Sequence, residues 1–249
     1  MKYFLVTLEN YDKDDLWIEN QNIPFRKKKF IPKKKSYLYF DCFFNKDNIE
    51  LIDYLPKNIE IFEMNETPKK TDVYYIYSDG GSFNNGRKDP NKPVFGSMTT
   101  IICKNNKEIF KTYDALEDVT NNYCEVTAGL NGLLYVQENE DMDNSLIIMS
   151  SDSQYLMKGI NEWMTGWIQR GWKNNEGKPI SNSKQWKTMY KILMKHDNIL
   201  TCWVRGHQDN DEDESRIIKY NNECDYLCNV ALNNILLEHG LPTRKLKGR

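Results

Sequence analysis

The 249 residues are 39% hydrophobic and 28% charged, with a formal net charge of -2. This is a globular composition, with length for one large domain or two unequal ones. The near-neutral balance excludes a grip on nucleic acid through overall charge and leaves that work to local clusters. The six cysteines form no CxxC pair and point to reduced core thiols rather than a disulfide or zinc framework, and no apolar run reaches membrane-spanning length.

In chain order, Met1–Glu9 is too short and too soon acidic for a signal peptide, and residues 3–8 read as a strand. An intracellular, soluble chain (cytoplasm, nucleoid or nucleus) is expected, and a monomer. A dense basic run follows: seven of the ten residues from Arg26 to Lys35 are Lys or Arg, with Phe30 among them. It reads either as a solvated loop or as a set of phosphate contacts. Residues 36–44 read as a strand, 46–55 as a short helix and 59–64 as a strand. Residues 1–70 are thus expected to form a small N-terminal α+β module, a candidate tether to nucleic acid. Asn65–Thr71, with Pro68, reads as a linker.

From residue 72 the chain alternates. Strands are expected at 73–78, 94–103 and 107–113, a helix at 122–138 and a strand at 145–150. Helices follow at 153–164 and 183–196, then a strand at 199–204 and a last helix at 222–238. Three successive strands and then alternation imply a mixed α/β sheet over 72–240. A basic tail occupies 241–249.

Four acids occupy comparable places. Asp79 follows the apolar run Val73–Tyr77 and precedes Gly80-Gly81, which reads as a strand end entering a sharp turn. Glu125 falls in a first helical turn, Asp152 opens the helix after the 145–150 strand, and Asp225 lies early in the last helix. Three of them have a plain structural use, Asp79 in a capped turn, Asp152 as an N-cap and Glu125 as a first-turn charge. Together, at strand ends of an α/β sheet, they could converge. Crowded carboxylates need cations, and hard oxygen donors suit Mg²⁺ or Mn²⁺. Two such ions ~3.5–4 Å apart can activate water for phosphodiester hydrolysis.

These blocks resemble the type-1 ribonuclease H family over residues 73–238. The resemblance runs through Asp79-Gly80, Thr120-Asn121-Asn122 to Glu125, Asp152-Ser153-Gln154-Tyr155, Gly159 to Trp163, and Trp167. It continues through Arg170 to Lys173, Lys178-Pro179, Trp186, Trp203 to His207 and Cys224-Asp225. It implies a five-stranded mixed sheet flanked by helices, and cleavage of the RNA strand of RNA/DNA hybrids to 5′-phosphate and 3′-hydroxyl ends. It also implies two Mg²⁺ ions, replaceable by Mn²⁺, on Asp79, Glu125, Asp152 and Asp225. His207 would assist near the attacking water or in product release.

The Trp163–Trp186 stretch interleaves four tryptophans with lysines and an arginine and is similar to the family's basic protrusion, which grips the DNA strand. Trp163, Trp167, Trp172, Lys173 and Lys178 match its framework and contacts. Asn122 and Gln154 match positions that read the minor groove of the hybrid, where the 2′-hydroxyls lie, and Gly80 belongs to the same surface. Two loops depart from the family pattern: 80–93 is long and basic, and 208–215 is long and acidic. The rival readings are a DNA-cutting nuclease on the same sheet and a catalytically silent hybrid-binding module.

Overall fold

The computed structural model describes residues 3–9, 17–31, 36–45, 48–57, 59–67, 71–86, 93–206 and 216–246. The elements are β1 (Tyr3–Glu9), α1 (Trp17–Asn20), β2 (Phe25–Ile31), β3 (Ser36–Asn45), a 3-10 helix (Ile49–Tyr54) and β4 (Glu60–Glu66). They continue as β5 (Asp72–Phe83), β6 (Phe95–Lys104), β7 (Lys107–Glu117), α2 (Asn121–Asn139), β8 (Ser145–Ser151) and α3 (Gln154–Lys158). A π-helical turn (Gly159–Trp163), α4 (Met164–Gln169), α5 (Ser183–Lys195), β9 (Ile199–Trp203) and α6 (Arg216–Glu238) complete the chain.

The centre of the sheet is β5. Its β-branched and aromatic residues are covered on both faces, as a central strand of a mixed α/β sheet requires. It pairs in parallel with β8 from Asp72 to Tyr77 and antiparallel with β6 from Tyr74 to Phe83. The β6–β7 hairpin closes through Asn105-Asn106, both at positive φ, which asparagine tolerates well. Alternation divides the core into two layers. Tyr74, Ile76, Ile102, Ile147, Met149 and Ile199 face α2, α3, α4 and α5. Tyr75, Tyr77, Ile101, Ile148, Leu200 and Cys202 face the other way, toward Cys224 and Leu227 of α6. All six cysteines are free and buried. Among the described residues no helix is long and apolar enough to cross a membrane.

The five strands β9-β8-β5-β6-β7 form the mixed sheet with flanking helices that the resemblance implies. They are not a separate sheet. Among the described residues the order is β4-β1-β3-β2-β9-β8-β5-β6-β7, nine strands in one sheet, joined where Phe25 of β2 pairs with Thr201 of β9. The basic run begins at the residue after that joint. Arg26–Ile31, read from sequence as a loop, is strand β2, because it pairs along its length with β3. Lys33, Lys34 and Lys35 lie outside the described residues. The short helix expected at 46–55 is a 3-10 helix over Ile49–Tyr54, and the last helix begins at Arg216 rather than 222.

Close helix–sheet approach rests on small residues. A methyl group built on Gly132 of α2 would overlap Cγ2 of Ile76 and lie 3.2 Å from Cγ2 of Thr100. Both neighbours are β-branched and stiff in a strand. Gly132→Ala is therefore expected to lose more through overpacking, ~1–3 kcal/mol, than the ~1 kcal/mol it gains in helix propensity. Urea unfolding checks the sign, and a more stable variant would show that α2 can move off the sheet freely.

Candidate active site

Asp79 is only 8% exposed. It lies inside β5, two residues past Tyr77, where the parallel pairing with β8 ends, while β6 still pairs with it through Thr99. The expected turn at Gly80-Gly81 is absent. The strand continues to Phe83, and neither glycine has positive φ. Their use is close approach. A methyl group on Gly80 would lie 2.5 Å from the amide nitrogen of Glu125 and 2.9 Å from its Cγ. One on Gly81 would lie 2.6 Å from Ser97 Oγ and 3.2 Å from Leu232 of α6. Helices on both faces thus pack directly against the strand that carries Asp79.

Glu125 is the fifth residue of α2, so it opens the second turn rather than sitting in the first. Thr120 is the N-cap and accepts from the Tyr123 amide at 3.2 Å. Asn121 Nδ2 donates to Glu125 Oε1 at 2.7 Å, and Ser153 Oγ donates to Oε2 at 2.6 Å. Asp152 stands between β8 and α3. It is not the helix cap, since Ser153 fills that place and accepts from the Leu156 amide at 3.1 Å. The Asp152 carbonyl accepts from Trp203 Nε1 at 3.0 Å, and a methyl group on Gly206 would lie 2.6 Å from Asp152 Oδ2. Asp225 is the tenth residue of α6, not an early one, because the helix starts at Arg216. Asn229 Nδ2 donates to its carbonyl and to its Oδ1.

The four acids act on one another. Burial pushes the Asp79 carboxyl well above the usual range, and Asp152, Asp225 and Glu125 push it further, against one opposing hydrogen bond from the Gly80 amide at 2.7 Å. Burial raises Glu125 to about 7, helped by Asp152 and opposed by its bonds from Ser153 and Asn121. Among the described residues no three acid, histidine or cysteine side chains already stand as a coordination shell. The donor set still fits a hard divalent ion: all four groups are carboxylates, and the shared field on Asp79 is one that a cation would relieve. The nearby thiols do not compete as ligands, since burial raises Cys124 to about 12 and holds Cys224 and Cys228 well above their ordinary value.

The other expected residues divide into surface and core. Asn122 and Gln154 are exposed at the first turns of α2 and α3, next to the two side chains that hold Glu125. Lys173 and Lys178 are exposed on a small hairpin in which the Asn174 amide donates to the Lys178 carbonyl at 2.8 Å. Trp167 is buried, and Trp163 packs on it with ring centres 5.9 Å apart. Trp186 completes that cluster with Tyr155. Trp172 sits at φ 65° against Tyr190. The tryptophans therefore frame the segment from within, and the hairpin lysines face outward. His207 lies outside the described residues. Sequence reasoning passed over Asn121, Ser153, Trp203 and Gly206 as supports. Asn121 was findable, four residues before Glu125 on one helix face.

Residues 71–233 match the family described as RNase H. The chain belongs to the RNase H family. It is a nuclease of the hydrolase class. The Ribonuclease H of Hahella chejuensis is 33% identical over 165 residues, covering 66% of this chain and 97% of the relative. That of Lachnoclostridium phytofermentans is 31% identical over 159 residues, covering 63% and 89%. The solution structure of the PFV RNase H domain shares the fold at 20% identity, with a TM-score of 0.53, covering 65% of this chain and 94% of that one. The matched part of this RNase H member begins at residue 71, so β1 to β4 lie outside it.

The Glu125 shift has a pH signature. In the fold its carboxyl keeps a proton to about pH 7, whereas an unfolded chain's glutamate releases it near ~4.3. Between these values the folded state binds more protons, so the metal-free protein loses stability as pH rises through the window. Glu125→Gln should therefore be more stable than the unchanged protein by about 1–3 kcal/mol at pH 8 and no more stable at pH 4. Urea unfolding in chelator at both pH values tests this, and equal stability at pH 8 would contradict it.

Proposed function

We propose that the protein is an endoribonuclease that hydrolyses the RNA strand of RNA/DNA hybrids, acting as a single chain with divalent metal. The observation that carries the reading is Asp79, buried among three further acids in a chain of the RNase H family. Asp79, Glu125, Asp152 and Asp225 would hold two Mg²⁺ ions, or Mn²⁺ in their place. Bound there, such ions would supply Lewis-acid activation of a water and charge stabilisation at the leaving oxygen, a chemistry that would leave 5′-phosphate and 3′-hydroxyl ends.

The chain's own residues then have separate tasks. Ser153 and Asn121 fix both oxygens of Glu125 and free it from choosing a rotamer when charge arrives. Ser153 does this while capping α3, so the helix start and the acid are set together. Trp203 and Gly206 locate Asp152 from the end of β9. Asn122, Gln154 and Gly80 would meet the minor groove, where the 2′-hydroxyl marks RNA. Lys173 and Lys178 would meet phosphates of the DNA strand, held out by the tryptophan framework. His207, the residue after Gly206, would assist proton transfer or product release.

Asp152→Asn is expected to abolish cleavage and leave hybrid binding intact. The change removes a charge, keeps the shape, and costs little helix stability because Ser153 is the cap. Cleavage of a labelled hybrid, compared with double-stranded RNA and double-stranded DNA, tests the assignment. A folded variant with unchanged turnover would remove Asp152 from the site, and cutting of duplex DNA in preference to hybrid would favour the DNA-nuclease reading.

A further inference from the structure

The RNase H portion by itself would leave β9 as an edge strand of five residues. Short edge strands fray and twist easily. Yet the end of β9 carries groups that fix Asp152: Trp203 Nε1 on its carbonyl and Gly206 against its carboxylate. The Val204 amide also donates to Ser151 at 3.1 Å, tying the same strand end to the residue before Asp152.

Residues outside the family match close that edge. Thr201, 3% exposed, donates to the Phe25 carbonyl at 3.2 Å and accepts from Asn161 Nδ2 at 2.8 Å. Cys202 Sγ donates to the Asn22 carbonyl at 3.2 Å. Arg26 donates to the carbonyls of His196 and Leu193, at 2.6 and 2.8 Å, and so caps the C-terminal end of α5. Lys27 Nζ reaches Glu162 of the π-helical turn at 3.8 Å, with its side chain only 6% exposed. Phe43 of β3 enters the core layer beside Tyr75, Leu200 and Cys202.

The joint is not closely filled. A cavity of about 330 Å³ lies between Phe25–Lys27 and the walls formed by Ile160, Met164, Ile168 and Leu193. Directed polar contacts therefore act beside the packing of Phe25 and Phe43 in setting β2 against β9. The first two cations of the basic run are also spent inside the protein, which leaves them unsuited to gripping phosphates.

We propose that the N-terminal strands are a positioning element of the active site. By closing the β9 edge they hold Trp203–Gly206 at the level that places Asp152, and Arg26 and Thr201 are the positioning residues. This rests on the hybrid-cleaving reading for its kinetic arm only. It differs from a tether, which would act on affinity.

The test uses the full chain with Thr201→Val and Arg26→Gln, and with Thr201→Ser and Arg26→Lys as conservative partners. Four quantities are read: kcat, KM on hybrid across a salt series, amide exchange of residues 199–206, and the Mg²⁺ concentration that half-saturates thermal stabilisation. The expected result is a ~10-fold loss of kcat, below the ~10²-fold that a ~1 Å misplacement can cost. KM and its salt slope should not change. Exchange over 199–206 should quicken, the Mg²⁺ midpoint should rise, and the Ser and Lys variants should recover most of the loss. Reduced affinity and a shallower salt slope at unchanged kcat would overturn the proposal in favour of a tether. A lowered Tm with unchanged kcat, exchange and Mg²⁺ midpoint would overturn it in favour of a purely structural joint. If the unchanged protein fails to cleave hybrid, the reading of its function fails alone, and the exchange and Mg²⁺ arms still decide the positioning role.

Discussion

A carboxylate inside a doubly covered strand is the constraint on which this structure turns. Asp79 is 8% exposed, three other acids raise its proton affinity, and the Gly80 amide opposes them. Such a group is costly to ionise without a cation. The fold accepts that cost at one place, where β8 stops pairing with β5 and α3 begins. There the strand is still paired on the β6 side and unpaired on the β8 side.

The surrounding acids arrive from different directions. By strand alternation Asp79 shares the α6 face with Tyr75, Tyr77 and Gly81, and Asp225 lies on α6. Glu125 comes from α2 on the opposite face, over Gly80. Asp152 comes from the strand end between them. This arrangement accounts for the order of influence on Asp79, in which Asp152 and Asp225 precede Glu125. The supports differ in kind. Glu125 is held by two donors and Asp225 by an amide on its own helix, while Asp152 is located by a neighbouring strand.

That dependence on β9 links the site to the rest of the sheet. Four further strands continue beyond β9, and they join it through backbone pairing and a buried Asn161–Thr201–Phe25 chain. The π-helical turn takes part twice, through Asn161 and through Glu162. π-Helical insertions often mark functional positions because they re-aim side chains that a regular helix would point elsewhere. Here Asn161 meets Thr201 of β9 and Glu162 meets Lys27 of the added strand β2, rather than the acids.

The sequence by itself determined the α/β alternation, the positions of the central strands and long helices, and the four acids proposed to carry the chemistry. Apolar runs such as Val73–Tyr77 and Leu146–Met149 declare buried strands because both faces must be covered. The acids stand out because a carboxylate beside such a run needs a reason. Only the tertiary structure decided that Asp79 lies within a strand, since Gly80 and Gly81 serve approaching helices rather than a turn, and glycine looks the same in both uses. It alone decided that Ser153 caps α3, that α6 starts at Arg216, and that Arg26–Ile31 is a strand. Lys and Arg have weak strand preference, and what makes β2 is pairing with β3, contributed by residues beyond the run itself. The bond from Asn161 to Thr201 spans 40 residues. No local pattern encodes such a contact, because its energy exists only once both elements have folded against each other.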